Sequence, residues 1–376
     1  MTAKMKILDK YILSEMIFPF FYGVAAFTVL FMSVSSSEII SNMIAMGSSN
    51  FNIAVKYIAC SIPQVLVYTF PMAVLLSCLL TFGRLSGDSE VIAMKAGGIS
   101  FIRIAMPGLV LTFLISVFSY YLGEKVVPDA NYTATNIFIR QLVKEAKSER
   151  ENLIMSDIDP DGTERRIFAK NLDEERGMLR GVMIFYFKNN HRLREVYAPK
   201  AVWENNMWRL IDPRTYDFDE NQGIKYESKS EVGRLPVDES PSELARRDRK
   251  PEEMNRERLS QKLQLMRMMG DKSGSNDSYG RLYKRYDVIY HQKLALPFTG
   301  FVFGLFGIPL GLRPHRTSTS IGLGLSLVFI LLYYVLMTVG RALGENGTLP
   351  PVLGSWAPNI IFGVAGIYLL IKASRS

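Results

Sequence analysis

The sequence predicts an α-helical membrane protein with six transmembrane helices, three before and three after an inserted, extracytoplasmic all-β domain. Three observations predict it. Charge is unevenly spread, with 62 of the 80 Lys, Arg, Asp and Glu residues between positions 124 and 293. The flanks hold six stretches free of those residues, at 16–37, 57–83, 104–123, 294–312, 317–340 and 346–371. Each is close to or above the roughly 20 helical residues that cross about 30 Å of hydrocarbon. Between the flanks, runs rich in Val, Ile, Phe, Tyr and Trp are punctuated by Gly, Asn, Asp and Pro, which is the signature of strands.

Residues 1–123 hold the first three helices. A basic head at 1–10 leads into a span that ends near Ser33 to Ser37, too long for a signal-peptide core and without a small-residue cleavage site after it. Gly47, Ser48, Ser49 and Asn50 form a polar outer loop. The second span carries both cysteines, Cys60 and Cys78, which on one helix lie roughly 27 Å apart and cannot pair. Pro19, Pro63, Pro71, Pro309 and Pro358 are compatible with spans, because neighbouring helices can satisfy the freed carbonyls. The first inner loop, 84–103, contains a short amphipathic helix at about 84–98: Asp88, Ser89 and Glu90 supply a cap and N-terminal acids, Val91, Ile92 and Met94 are apolar, and Gly97 and Gly98 stop it.

Residues 124–240 form the β domain. Beyond Pro128 the period changes, and the runs 165–170, 178–188, 194–204 and 207–218 read as strands. Asn205 and Asn206 fit a two-residue hairpin turn that places Trp203 near Trp208. Residues 241–285 form a helical linker, in which Pro251, Glu252 and Glu253 start a helix and Leu259, Leu263 and Met266 make an apolar stripe. Residues 271–278 lead back to the membrane, and 286–376 hold spans four to six.

Basic residues orient the chain. Lys4, Lys6, Lys10, Arg84, Lys95, Arg103, Arg313, Arg316, Lys372 and Arg375 lie on one side, against Lys56 and Arg341 opposite. The positive-inside rule puts both termini in the cytoplasm and the β domain outside it.

The net charge of +8 does not indicate nucleic acid, since the hydrophilic block mixes its signs and shows no basic stripe with interleaved aromatics. No phosphate loop, H-E-x-x-H or G-x-S-x-G motif is present, and His191, His291 and His315 lie in three separate regions. The chain is therefore expected to have no catalytic, cofactor or metal site. The six stretches also lack the ionisable residues that mark ion-coupled carriers, so energy for any transport must come from a partner. The helix at 84–98 is where such a partner would push.

Residues 83–100, Gly-Arg-Leu-Ser-Gly-Asp-Ser-Glu-Val-Ile-Ala-Met-Lys-Ala-Gly-Gly-Ile-Ser, resemble the signature loop of the LptF/LptG (YjgP/YjgQ) lipopolysaccharide export permeases. Residues 290–297 (Tyr-His-Gln-Lys-Leu-Ala-Leu-Pro), 307–313 (Gly-Ile-Pro-Leu-Gly-Leu-Arg), Leu349-Pro350-Pro351, Trp356-Ala357-Pro358-Asn359 and the pair Tyr333-Tyr334 are similar in order and spacing. The resemblance implies a permease subunit of an ABC exporter in the bacterial inner membrane, facing a second, homologous or identical permease subunit. A dimer of a cytoplasmic ATPase would sit below. It implies that the β domain is a periplasmic jellyroll, and that lipopolysaccharide leaves the inner membrane through it to a periplasmic bridge of similar domains. One departure stands out: some family members carry basic residues on the first span near the lipid phosphates, whereas no Lys or Arg lies between Glu15 and Lys56 here.

On this reading the ATPase-coupling residues are Glu90, Asp88, Arg84, Ile92 and Met94, and the substrate path includes Ile184, Tyr186, Phe27, Phe31, Tyr333 and Tyr334. Simpler roles stand beside these. Glu90 suits a helix N-terminus, which is worth about 0.3–1 kcal/mol. Trp203 and Trp208 suit a sheet core, Tyr333 and Tyr334 suit interhelical packing, and Arg246, Arg247, Arg249 and Lys250 suit a solvated helix face. A non-transporting scaffold or receptor, and a permease for another large amphiphile, are the rival functions.

Overall fold

The computed structural model describes residues 7–45, 51–137, 149–158, 163–173, 176–188, 191–218, 224–229, 232–237, 239–241, 244, 249–270, 278–312 and 319–375. The expected outer loop at 47–50, Arg246, Arg247, Arg313, Arg316 and the polar link at 271–277 lie outside them. The chain divides into two compact units. One comprises Met1–Phe138, Pro251–Leu263 and Gly270–Ser376, and the other Ile139–Lys250 and Gln264–Met269.

The first unit is helical: α1 (Ile7–Ala45), α2 (Phe51–Gly87), α3 (Glu90–Ala96), α4 (Phe101–Lys125) and α5 (Val127–Ile137) precede the strands. A 3-10 turn (Pro251–Glu253), α6 (Arg256–Gly270), of which Gln264–Met269 belong to the second unit, α7 (Ser278–Gly311), α8 (Thr319–Asn346) and α9 (Pro351–Arg375) follow them. Among the described residues six segments are long and apolar enough to cross a membrane: Ile7–Val34, Ala54–Gly87, Phe101–Lys125, Gly280–Gly311, Gly322–Asn346 and Pro351–Arg375. They run past the charge-free stretches because a helix need not stop at the edge of hydrocarbon; Lys293, for example, lies inside α7.

Burial ranks the spans. In α2 83% of the most apolar window is buried, against 11% in α1 and 17% in α8. α2 is therefore the core helix, with α1, α4, α7 and α8 packed on it. The outer sides of α1 and α8 keep Phe18, Phe21, Leu30, Val328 and Leu331 exposed, as lipid-facing spans can, since lipid is as apolar as the residues themselves.

Small polar residues do the joining. Pro19 has no N–H to donate to the Glu15 carbonyl, and the Thr81 hydroxyl of α2 donates to that carbonyl at 3.0 Å instead. Ser77 donates to the Met16 carbonyl at 2.7 Å. Between α7, α8 and α9, Tyr333 donates to Asn359 Oδ1 at 3.1 Å and lies 2.6 Å from Thr299 Oγ1, while Asn359 Nδ2 donates to the Ala295 carbonyl at 2.7 Å. Phe303, Phe306, Phe329 and Phe362 surround this polar layer edge to face, with ring centroids 4.8–6.3 Å apart.

Two expectations change here. Pro128 does not begin the strands; it opens α5, in the first turn of a helix where its missing N–H costs nothing. The linker helix begins at Arg256, with Asn255 Oδ1 accepting from Arg258 N at 3.0 Å, after a separate 3-10 turn at Pro251–Glu253. Leu259, Leu263 and Met266 form the buried stripe expected of it.

The second unit is one antiparallel sheet of β1 (Glu149–Ile158), β2 (Glu164–Asp173), β3 (Met178–Lys188), β4 (His191–Glu204), β5 (Met207–Ile211), β6 (Arg214–Phe218), β7 (Ile224–Lys229) and β8 (Val232–Leu235). β5 and β6 pair with β4 in one continuous register, as Val202 opposite Arg209 and Val196 opposite Thr215 show. The expected strand 207–218 is thus a single line interrupted at Asp212 and Pro213, where φ is +50° and a ladder N–H is missing. The Asn205-Asn206 turn has φ of +50° and +60°, as a type I′ hairpin requires, and Trp203 pairs with Trp208 at a centroid distance of 5.4 Å.

A crease crosses this sheet. Ladder pairing skips the rung of Asn152, Lys170, Gly181 and Pro199, and Asp212 continues the same line. On each side the buried face switches parity: Ala169 and Leu172 are both buried, as are Leu179 and Val182, and Ala198 and Ala201. Strict alternation would put one of each pair on the opposite face. Gly181, at φ +61°, absorbs the switch in β3. The two flanks thereby turn their apolar faces to a common core of Leu153, Ile167, Ile184, Val196, Trp208 and Leu235.

Candidate functional site

The corner built around α3 gathers most of the expected coupling residues. α2 ends at Gly87, Asp88 lies in the turn, and Ser89 adopts φ +62° without a side-chain capping bond. The expected cap is thus a left-handed turn residue. Arg84 belongs to the last turn of α2, and the short helix starts only at Glu90. At its other end Gly98, at φ +85°, donates to the Lys95 carbonyl at 2.9 Å, and Ile99 donates to the Met94 carbonyl at 3.1 Å. A non-glycine residue at that φ would be strained, so Gly98 sets the reversal into α4.

The apolar residues of α3 do not share one environment. Val91 is buried and Met94 packs against the core, whereas Ile92 is 64% exposed beside exposed Ala93 and Ala96. Ile92 and Met94 therefore do different things, because residues two apart on a helix face apart.

Polar contacts hold the corner from both sides. The Tyr11 hydroxyl of α1 reaches both Glu90 carboxylate oxygens, at 3.0 and 2.8 Å. Arg84 pairs with Glu15 at 2.5 Å, Arg103 of α4 with Asp9 at 2.7 Å, and Lys95 Nζ donates to the Ala373 carbonyl of α9 at 3.3 Å. The ion pairs are partly exposed and each is worth about 0–1 kcal/mol, so they set geometry more than they supply stability. Asp9, Tyr11 and Glu15 were not anticipated. The available signal was the presence of acids near the start of an otherwise apolar span whose opposite ends carry arginines.

The residues assigned to a substrate path do not form one cluster. Phe27 and Tyr333 are buried in the helical core, and Phe31 and Tyr334 pack at its margin. The Tyr334 hydroxyl donates to the Tyr68 carbonyl at 2.9 Å. Ile184, 1% exposed, belongs to the sheet core, and Tyr186, two residues on, packs against the same core. Trp208 is fully buried, and its Nε1 donates to the Glu239 carbonyl at 2.9 Å.

Comparison with known proteins finds one family over almost the whole chain. The family model described as lipopolysaccharide export system permease LptF/LptG matches residues 10–372. The lipopolysaccharide export system permease protein LptG of Escherichia coli (strain K12) is 26% identical over 358 residues, which cover 92% of this chain and 94% of that protein. The protein of the same name from Haemophilus influenzae is 23% identical over 365 residues, covering 93% and 96%.

Proposed function

Because this chain belongs to the lipopolysaccharide export system permease family LptF/LptG, we propose that it is one permease subunit of an ABC-type exporter that extracts lipopolysaccharide from the inner membrane and passes it to a periplasmic bridge. The observation that carries this reading is a family match across residues 10–372 on a chain whose six candidate spans bracket a single antiparallel sheet. The relatives above carry the G-type name, which favours the G-type place opposite a homologous subunit.

In this reading both termini and α3 face the cytoplasm, as the basic residues at that end favour, and a separate ATPase dimer supplies the energy. Ile92 with Ala93 and Ala96 forms the apolar contact for that ATPase, and Glu90, Asp88 and Arg84 frame it. Met94 and Val91 tie the same helix to the core, so a push on Ile92 would reach α2 and α4 through packed side chains. The weakly buried spans α1 and α8 face the partner subunit or the lipid, with Phe27, Phe31, Tyr333 and Tyr334 behind the path. The creased sheet acts as a periplasmic, jellyroll-like trough whose inner face, at Ile184 and Tyr186, receives acyl chains.

Reconstitution tests this. The full chain, co-purified with its permease partner and ATPase in proteoliposomes, should release lipopolysaccharide only with ATP. A chain that purifies without an ATPase, and whose depletion leaves lipopolysaccharide at the cell surface, would be a scaffold instead.

A further inference from the structure

A second feature of the helical unit lies away from α3, where α2, α5, α7 and α8 meet. A cavity of about 110 Å³ opens there, lined by Gln64, Asn131, Glu252, Gln292, Lys293 and Arg341. Apart from Tyr68 its remaining wall is apolar, with Val67, Leu296 and Met337 among the contributors.

The hydrogen-bonding inventory of this cavity is unbalanced toward donors. Lys293 is half-buried and makes no ion pair or hydrogen bond among the described residues. Gln292 Nε2 is buried without an acceptor. Arg341 Nε is held by Glu345 at 2.7 Å, and Asn131 Nδ2 donates to the Glu252 carbonyl at 3.4 Å. The one acid in the lining, Glu252, already meets Arg285 through Oε1 at 3.4 Å. Glu124 and Glu252 act on Lys293 only as nearby charges, beyond ion-pair distance. Leaving an ammonium and an amide donor unpaired in a partly apolar recess is costly, and an occupant rich in acceptor oxygens removes the cost. Phosphate supplies such oxygens and a matching charge, while the apolar wall suits an attached hydrocarbon chain.

We propose that this cavity binds the phosphate of an anionic lipid, with Lys293 as its charge partner, the Gln292 amide as a second donor and Arg341 at its margin. The site does not depend on what the chain transports. Native mass spectrometry of the full-length chain in phospholipid-free detergent, titrated with phosphatidylglycerol, tests it. Lys293→Met should weaken retention about tenfold and Gln292→Leu several-fold, while Lys293→Arg keeps most of it and Lys56→Met, on an exposed residue of α2, changes nothing. In lipid-free detergent Lys293→Met should melt no lower than wild type, because it removes an unpaired charge. Equal retention by wild type and Lys293→Met overturns the proposal, as does displacement of the lipid by millimolar inorganic phosphate, which would make this a free-anion site. Tighter, Lys293-dependent binding of lipopolysaccharide than of phosphatidylglycerol supports the phosphate chemistry and names the lipid. Should Lys293→Met fail to fold, Gln292→Leu against Lys293→Arg gives the same decision.

Discussion

Glu90 has two possible roles that its surroundings allow to be separated. It holds α3 through Tyr11, and in the proposed exporter it also frames the ATPase contact. A helix of seven residues is marginal alone, so its anchors matter. A hydrogen bond to a charged acceptor contributes about 1.5–3 kcal/mol in protected sites, and at this exposed corner about 1 kcal/mol is a better estimate. Tyr11→Phe and Glu90→Gln should therefore each loosen α3 by a similar amount, about a fivefold faster exchange of its amides. The double variant should cost little more than either single one, since both remove the same bond. Glu90→Lys adds something neither does: a second cation within electrostatic reach of Arg84, and on the proposed interface a repelled charge worth several times more. The assay is hydrogen exchange across residues 90–96, alongside retained ATPase and lipid-stimulated hydrolysis in one membrane mimic. If Tyr11→Phe lost the ATPase as completely as Glu90→Lys, Glu90 would be acting only as an anchor and the direct contact would be refuted.

Four further outcomes follow from the packing. In a variant lacking Cys60, a cysteine at Ile92 should label readily in the free subunit and be protected by the ATPase; labelling unchanged in the complex would move the interface elsewhere. Gly304→Ala should lower the melting temperature, since its new Cβ would collide with Thr112 and overpacking costs about 1–3 kcal/mol; Gly324→Ala, with open space around it, should not. Trp208→Phe removes the bond to the Glu239 carbonyl and should cost the sheet about 1–3 kcal/mol, read as loss of near-ultraviolet signal at lower denaturant. Photo-crosslinkers at Tyr186 and at exposed Lys200 should trap lipopolysaccharide unequally, Tyr186 the more, and equal trapping would argue against an enclosed path.

Several elements were legible because their signal is local. The Asn205-Asn206 turn and the Trp203–Trp208 pair need only two residues that tolerate positive φ and the period of a strand. β1 and β7 were missed because Glu149–Ile158 and Ile224–Lys229 are dense in charge, and β8 because it is four residues long; they are strands because β2, β6 and β5 offer them partners. Which apolar residues of α3 turn to the core was illegible for a related reason. Apolar residues at 91, 92 and 94 do not say which face the core will take, and only the packing of α3 on α2 and α4 turns Val91 and Met94 inward.

Taken alone, then, the sequence determined six spans, their order around a β domain, the absence of recognised catalytic motifs and the family resemblance. Hydrophobic transfer and turn chemistry act on neighbouring residues, so they are written in runs and spacings. The tertiary structure decided what depends on residues distant in the chain. It chose α2 as the buried helix, set Tyr11 against Glu90 across 79 positions, and supplied Thr81 to the carbonyl that Pro19 leaves free. It carried the crease through Lys170, Gly181 and Pro199, and brought Lys293 and the unpartnered Gln292 Nε2 to the wall of one cavity. Each of these is a matter of which groups satisfy one another at a few ångströms, and no local pattern records the partner.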